Sequence, residues 1–467
     1  MLQSLRNIWD IPDLRKRVLF TLGLLAVYRM GNVIPTPGIN AAALIDFFEQ
    51  NRGNWFGLVD MFSGGNLSKV TIFALGIMPY ISSSIILQLL TVVWPFLEKL
   101  SKEGEMGRRK ITQYTRYGTV LLAIIQGVGI AIFLENQTKS GNFNIVSSPG
   151  WGFRLMFVLT LTTGTAFIMW LGEQITDRGI GNGMSLIIFA GIVVGFPSAV
   201  IDTYGKIQSG STSLFTVAFL MALMVAVIGA IVFVERGQRR ITVQYAKRVV
   251  GRRMMGGQST HLPLRVNTSG VIPVIFASSI IAFPQTIADM LKDRIAWMGD
   301  VVLHLQAGMP LYNLLYVTFI IFFCYFYTAI VFNPDDVAEN MRKYGGFIPG
   351  IRPGKRTAEY LEHILDRITF GGAIYLAIIA LLPEFLLMGF KAQYLPWIGP
   401  SVDAFLSNNN LGWVTEGLGL NFYFGGTSLL IVVGVAMDTV AQIEAQLIMR
   451  HYDGFTGKGG RRIRGRR

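Results

Sequence analysis

Cysteine is nearly missing from this sequence. Cys324 stands alone among 467 residues, so no internal disulfide can form and nothing demands an oxidising compartment. It lies in the apolar run IIFFCYFY, where a small apolar filler is the plain reading. Histidine is scarce as well: His261, His304, His363 and His451 fall in expected loops or the tail, and none has metal-pair spacing with another His or with the Cys. The Gly-rich stretches RGIGNGMS (178–185) and GFTGKGG lack the Lys-Ser/Thr of a phosphate loop. No nucleotide site is read, and 178–185 is expected to be a helix-starting turn. No cofactor, metal or catalytic residue is expected. Charge is thin, at 15% of residues, against about one quarter in a soluble domain.

What the chain does have is apolar length. Hydrophobic residues make up 52%, in runs near 17–34, 71–94, 117–134, 153–172, 183–201, 214–234, 270–290, 311–332, 369–390 and 424–445. Each approaches the roughly 20 residues that a hydrocarbon layer of about 30 Å requires of a helix. None alternates as a barrel strand would. The expected fold is all-α and polytopic, with ten transmembrane helices. Arg15-Lys16-Arg17 followed by VLFTLGLLAVY has the look of a signal peptide. Arg29 and the Pro-rich GNVIPTPGI follow without an Ala-x-Ala site, however, so a retained first span is expected.

Most of the 41 Lys and Arg lie in alternate loops of this ten-span arrangement, and in the termini. The positive-inside rule makes that side cytoplasmic, with both termini inside. The tail GKGGRRIRGRR has charge and Gly but nothing to bury, and reads as disordered. Two basic loops, 235–269 and 333–368, exceed what topology needs. Contact with anionic lipid accounts for some of that charge. RITVQYAKRVV, however, alternates apolar and polar residues and turns at Gly251, as a projecting β-hairpin would. GFIPGIRPG holds Arg352 in a rigid turn. An ordered basic protrusion suits a large acidic partner such as ribosomal RNA or an acidic protein face.

The spans themselves are almost free of charge. Arg29, Glu173 and Glu235 sit near span ends, and Asp438 and Glu444 in one half of the last span. Instead they carry TTGTAF, PYISSSIILQ, FASSII and FGGTS, small residues that let helices approach closely. One segment resists this reading. MFSGGNLSKV (61–70) leads into the second span yet is too polar to face lipid, and Gly76 and Pro79 weaken the span itself.

The blocks MFSGGNLSKVTIFALGIMPYISSSIILQLLTVV, EGEMGRRKITQYTRYGT, MWLGEQITDRGIGNGMS, FVERGQRRI, QSTHLPLRVN, GVIPVIFASSII, FFCYFYTAIVFNP, GFIPGIRPG and FGGTSLLIVV, in this order from about residue 15 to 445, resemble the SecY family. Its members are channel-forming subunits of the bacterial Sec protein translocon. The resemblance implies two pseudo-symmetric halves, 1–205 and 206–446, around a central pore, with 447–467 as a basic cytoplasmic tail. It implies a plug at about 59–69, including Met61, Phe62, Ser63, Gly64, Gly65 and Asn66. Ile77, Ile81, Met184, Ile188, Ile275 and Ile431 match the pore ring, with Met184 standing where Ile is usual. The pairs 77/81 and 184/188 are each i, i+4, on one helix face. A lateral gate would include Ser82, Gln88, Asn267 and Phe283. Arg239, Arg240, Lys247, Arg248, Arg252, Arg253 and Arg352 would meet the SecA ATPase motor or the ribosome.

Further implied partners are the SecE and SecG subunits, signal sequences and nascent membrane proteins, besides the anionic lipids. The implied work is passing unfolded secretory polypeptides across the bacterial cytoplasmic membrane and releasing transmembrane segments sideways into lipid. The outer loop 391–421 looks long for the family. A secondary transporter built on inverted repeats is the alternative, but the midplane charge it needs is not found. A membrane-embedded protease or transferase lacks a catalytic constellation.

Overall fold

The computed structural model describes residues 11–40, 43–44, 65–139, 145–210, 213–245, 248–250, 253–255, 259–291, 295–306, 308–389, 391 and 426–455. Met61, Phe62, Ser63, Gly64, Lys247, Arg252, most of the 391–421 loop and the end of the tail lie outside them. Ten helices coincide with the ten apolar runs: α1 (Pro12–Gly31), α2 (Met78–Val93), α4 (Glu105–Lys139), α5 (Trp151–Arg178), α6 (Gly183–Gln208), α7 (Leu214–Glu235), α8 (Ile272–Leu291), α10 (Pro310–Val331), α12 (Lys355–Met388) and α13 (Gly426–Phe455). Three shorter helices lie between them, α3 (Pro95–Lys102), α9 (Ala296–His304) and α11 (Pro334–Lys343). Seven of the ten are long and apolar enough to cross a membrane by themselves. α2 reaches that length together with α3, but the two are bent by 98°. Trp94 is extended ahead of Pro95 (φ −102°, ψ 113°), as a residue before proline prefers, and this makes the bend.

The helices close into a ring. α2 packs on α4, α4 on α5, α5 on α6, α6 on α13, α13 on α12, α12 on α10, α10 on α8, and α8 returns to α2 and α4. The chain thus divides into two groups of five spans, α1–α6 and α7–α13. The second span of each group (α2 and α8) meets at one seam, and the fifth of each (α6 and α13) at the other, which is the pattern of a pseudo-twofold.

The second apolar run departs from expectation. It is not helical from 71: the chain runs through turns up to Ile77 and becomes helix only at Met78. Gly76 takes φ +56°, in the left-handed region, and Pro79 stands in the first helical turn, where its missing N–H costs nothing. Several helices outrun their apolar stretches at the basic side, three of them by the most. α4 starts at Glu105, α12 starts at Lys355 and α13 continues to Phe455.

Both basic loops fold, and they fold together. β1 (Gln238–Tyr245) pairs antiparallel with β4 (Ser259–Arg265), while β2 (Arg248–Val250) and β3 (Arg253–Met255), between them in sequence, pair antiparallel with each other. The second loop contributes β5 (Gly346–Phe347), which joins the other edge of β1 through Gln244↔Phe347 and Tyr245↔Gly346. Beneath the sheet, Ile241 and Leu264 share a buried cluster with Ile348, Leu361, Ile364 and Leu365. The alternation read in the sequence places Ile241 and Val243 inward and Arg240 and Thr242 outward.

At the side opposite these loops, Glu135 near the end of α4 is buried. It accepts hydrogen bonds from Arg154 of α5 (2.6 and 3.0 Å) and from the Gly150 amide (3.0 Å). An ionised carboxylate with three donors is adequately satisfied away from water. It ties the α4–α5 hairpin at its tip.

Candidate pore constriction and its seals

One extended apolar cluster draws buried residues from most of the spans, the four seam helices among them. Ile77, Ile81, Ile188, Ile275 and Ile431 are all buried in it, and Met184 packs against it half-buried. Four helices, two from each group, therefore bring the six expected ring side chains into one cluster. Local chemistry fixes each one. Ile77 is the N-cap of α2, and its carbonyl accepts from the Ile81 amide at 3.1 Å, so the two side chains follow each other along one face. Met184 lies in the first turn of α6, where Asn182 caps the helix by accepting from the Met184 amide at 3.1 Å. The turn before it, 178–183, is the helix start expected of the Gly-rich stretch. It is pinned by Thr21 of α1, Thr176 of α5 and Gln442 of α13, which accept from the amides of Ile180, Gly183 and Gly181.

The expected gate residues lie on two helices and the turn before one of them. Ser82 and Gln88 lie half-buried on α2, and Gln88 donates to Ser84 at 3.3 Å. Phe283 lies on α8. Asn267 precedes α8 in a turn, and its amide donates to Glu235 Oε1 (2.6 Å) and to the Gly270 carbonyl (3.1 Å). Its hydrogen bonds thus join α7 to the start of α8 instead of crossing to α2. Where α8 does meet α2, Ser279 Oγ lies 4.0 Å from Met78 Sδ. On the neighbouring face, Ser83 of α2 donates to the Thr115 carbonyl of α4 at 2.9 Å. Arg116 of α4 reaches Glu173 of α5 at 2.8 Å.

The polar lead-in has a built seat that sequence reasoning missed. Thr36 N–H donates to the Val70 carbonyl (2.9 Å) and Ile72 N–H to that of Ile34 (3.0 Å), an antiparallel bridge between the loop after α1 and the segment before α2. Leu67, Val70, Ala74 and Leu75 are buried with residues of α4 and α5 in a second cluster, apart from the ring. Val70 holds φ +37°. A β-branched residue there costs about 1–3 kcal/mol and persists only where its surroundings over-determine it. Phe73 is stacked between Tyr28 of α1 (5.9 Å) and Phe167 of α5 (6.0 Å).

Two glycines permit that approach. A Cβ on Gly31 would enter the Phe73 ring, and one on Gly164 would enter the Ile72 carbonyl. Because the obstacle at Gly164 is backbone, Gly164→Ala should destabilise the protein by about 1–3 kcal/mol through overpacking. Thermal unfolding in detergent would register this as a lowered Tm, and an unchanged Tm would show that α5 gives way freely.

On the basic side, Arg239 and Arg240 are exposed on β1, and Arg248 and Arg253 lie on β2 and β3. Arg352 is exposed in a turn whose bends use positive φ at Gly350 (+84°) and Gly354 (+103°), and its carbonyl accepts from Thr357 at 3.0 Å. The expected rigid corner is there.

Against known proteins, the sequence profile of the SecY family matches residues 71–440. The protein translocase subunit SecY of Escherichia coli K12 is 50% identical over 458 residues, covering 98% of this chain and 97% of that protein. In fold, the chain is similar to a SecY protein whose plug domain is described as stabilising the closed state of the translocation channel and maintaining a membrane seal (TM-score 0.61, 17% identity, 92% of each chain). It is also similar to Sec61 from the canine ribosome–channel complex of the endoplasmic reticulum (TM-score 0.58, 15% identity, 92% of each chain). With half its residues shared across nearly its whole length, the chain belongs to the SecY family of protein-conducting channels, and the secondary-transporter alternative is set aside.

Proposed function

We propose that unfolded secretory polypeptides cross the bacterial cytoplasmic membrane through the constriction made by Ile77, Ile81, Met184, Ile188, Ile275 and Ile431. The observation that supports this reading is that these six side chains, from two helices of each half, all belong to one extended apolar cluster between the halves. Branched apolar side chains exclude water and ions by dewetting, and they make no directional bonds with a passing chain. Such a ring therefore accepts any sequence. The halves are 1–205 and 206–446, and transmembrane segments leave sideways where α8 meets α2 and α4, past Ser82, Gln88, Asn267 and Phe283.

The basic loops and both termini face the cytoplasm. There Arg239, Arg240, Lys247, Arg248, Arg252, Arg253 and Arg352 meet the ribosome, as the canine relative's ribosome complex supports, or the SecA motor. SecE and SecG complete the complex, and anionic lipids surround it. In this reading the chain performs no chemistry and needs no cofactor. The plug is the segment at 59–69 that leads into α2. Deleting residues 60–64 and measuring conductance of the reconstituted complex in planar bilayers tests the reading. A clear rise in basal ion leak is expected; an unchanged leak from a folded protein would overturn the plug assignment.

A further inference from the structure

One short piece of chain joins the basic sheet to the seam where α8 meets α2. α7 ends at Glu235 and runs into β1 through Arg236 and Gly237, while β4 ends at Arg265 and runs into α8 through residues 266–271. The strand ladder continues into that connection, because Val266 N–H donates to the Gly237 carbonyl at 3.0 Å. Asn267 closes it. Its amide nitrogen donates to Glu235 Oε1 (2.6 Å) and to the Gly270 carbonyl (3.1 Å), and its oxygen accepts from Ser269 Oγ (3.2 Å). Asn267 is 3% exposed, so the side chain is buried with both N–H groups and its oxygen engaged. A fully satisfied buried polar network makes its parts rigid, and a bond to a carboxylate is of the stronger, charge-assisted kind.

The connection is gripped from outside as well. A Cβ on Gly372 of α12 would come within 3.1 Å of the Val266 carbonyl, and one on Gly434 of α13 within 2.7 Å of the Val271 side chain. Arg265 reaches Asp438 of α13 at 3.5 Å. All of these partners belong to the second group of spans. The next two turns of α8, about 10 Å of helix, carry Ile275 of the expected ring and Ser279, which meets α2. That meeting is a 4.0 Å approach of the Ser279 hydroxyl to the Met78 thioether, a weak acceptor. The stiff joint therefore lies between sheet and α8, and the soft one lies across the seam.

We propose that Glu235 and Asn267 form a clip that makes α8 one body with the β1–β4 sheet, so that a partner docked on the sheet moves α8 against α2. A ligand shifts an equilibrium only as far as it binds the two states differently. Docking on a surface fixed to α8 supplies that difference between a closed and a parted seam. Glu235 and Asn267 are positioning residues that act through α8. The proposal rests on the reading of Arg239, Arg240 and their neighbours as a docking face, and adds how docking reaches the seam.

The test uses the full chain in its reconstituted complex, carrying Cys324→Ala, Met78→Cys and Ser279→Cys, and follows cross-linking across the seam by a short bis-maleimide. Purified non-translating ribosomes are the probe, and their affinity for each variant is measured alongside. With the clip intact, ribosomes are expected to change the cross-linking rate severalfold. Glu235→Ala, Asn267→Ala and the double variant should bind ribosomes as before yet lose that change, the double variant behaving as either single one. Glu235→Gln still offers an oxygen to the Asn267 amide and should retain it. A change retained in Glu235→Ala would overturn the clip. Lost ribosome affinity in the clip variants would overturn it too, since the pair would then be building the docking face itself. A cross-linking rate indifferent to ribosomes that bind normally would overturn the coupling. Ribosomes that do not bind even with the clip intact would instead remove the docking reading and the clip's role with it, a failure read from affinity alone.

Discussion

Exchanging Ile81 and Ile275 together for asparagine is expected to turn the closed channel into a standing ion leak. Both side chains are buried in the central cluster, and each replaces apolar surface there with an amide that water solvates well. Burying an isoleucine side chain is worth roughly 2 kcal/mol relative to leaving it in water. Removing two such contributions shifts the balance between a dry and a wet constriction by about 4 kcal/mol, close to a thousandfold in an equilibrium constant. Planar-bilayer recordings should show a large conductance without any polypeptide present. Exchange for leucine or valine should stay near wild type, because shape is tolerated where dewetting is the seal. A dry, silent double-asparagine channel would mean that these residues are ordinary helix packing and that the barrier lies elsewhere.

The second large effect is expected at Arg352. Arg352→Glu should leave the protein inserted and folded, since the side chain is exposed and its turn is held by backbone features: positive φ at Gly350 and Gly354 and the Thr357 bond to the Arg352 carbonyl. Motor-driven export should nevertheless fall to background. The exchange reverses a charge on a fixed corner, so an acidic partner surface meets repulsion at a point that cannot move away. Export into inverted membrane vesicles, with insertion checked on the same membranes, measures this. Normal export would show that the corner is a structural turn and nothing more.

Much of the scaffold was legible because lipid imposes its own grammar. Apolar runs of span length gave ten helices in the right order, and the i, i+4 spacing of 77/81 and 184/188 put those pairs on single faces. Helix ends beyond lipid were less legible. α4 begins at Glu105 within the charged EGEMGRRK stretch, where apolar content gives no signal. The failure at 71–77 was instructive. Gly76 and Pro79 marked a break, but the resulting turns depend on Thr36, Ile34, Tyr28 and Phe167, which come from other parts of the chain. Likewise nothing in the sequence singles out Glu135 or Arg154, and only the folded hairpin joins them. Asn267 donates to Glu235 far earlier in the chain, a pairing that no local pattern announces. Single-residue chemistry was visible in the sequence; pairings between distant loops were not.

The strand order β4-β1-β5 also bears on when the protein becomes usable during its own synthesis. β1 emerges from the ribosome well before β5, with α8 and α10 made and inserted in between. Until residues 346–365 exist, Ile241 and Leu264 lack the partners that cover them, and one edge of β1 is bare. A half-synthesised chain therefore cannot display the finished basic lobe, however well its first spans are seated. Surface recognition by any partner that reads both loops is therefore expected only after eight spans have been made. The sheet is thus written across two separate stretches of the chain, and neither builds it alone.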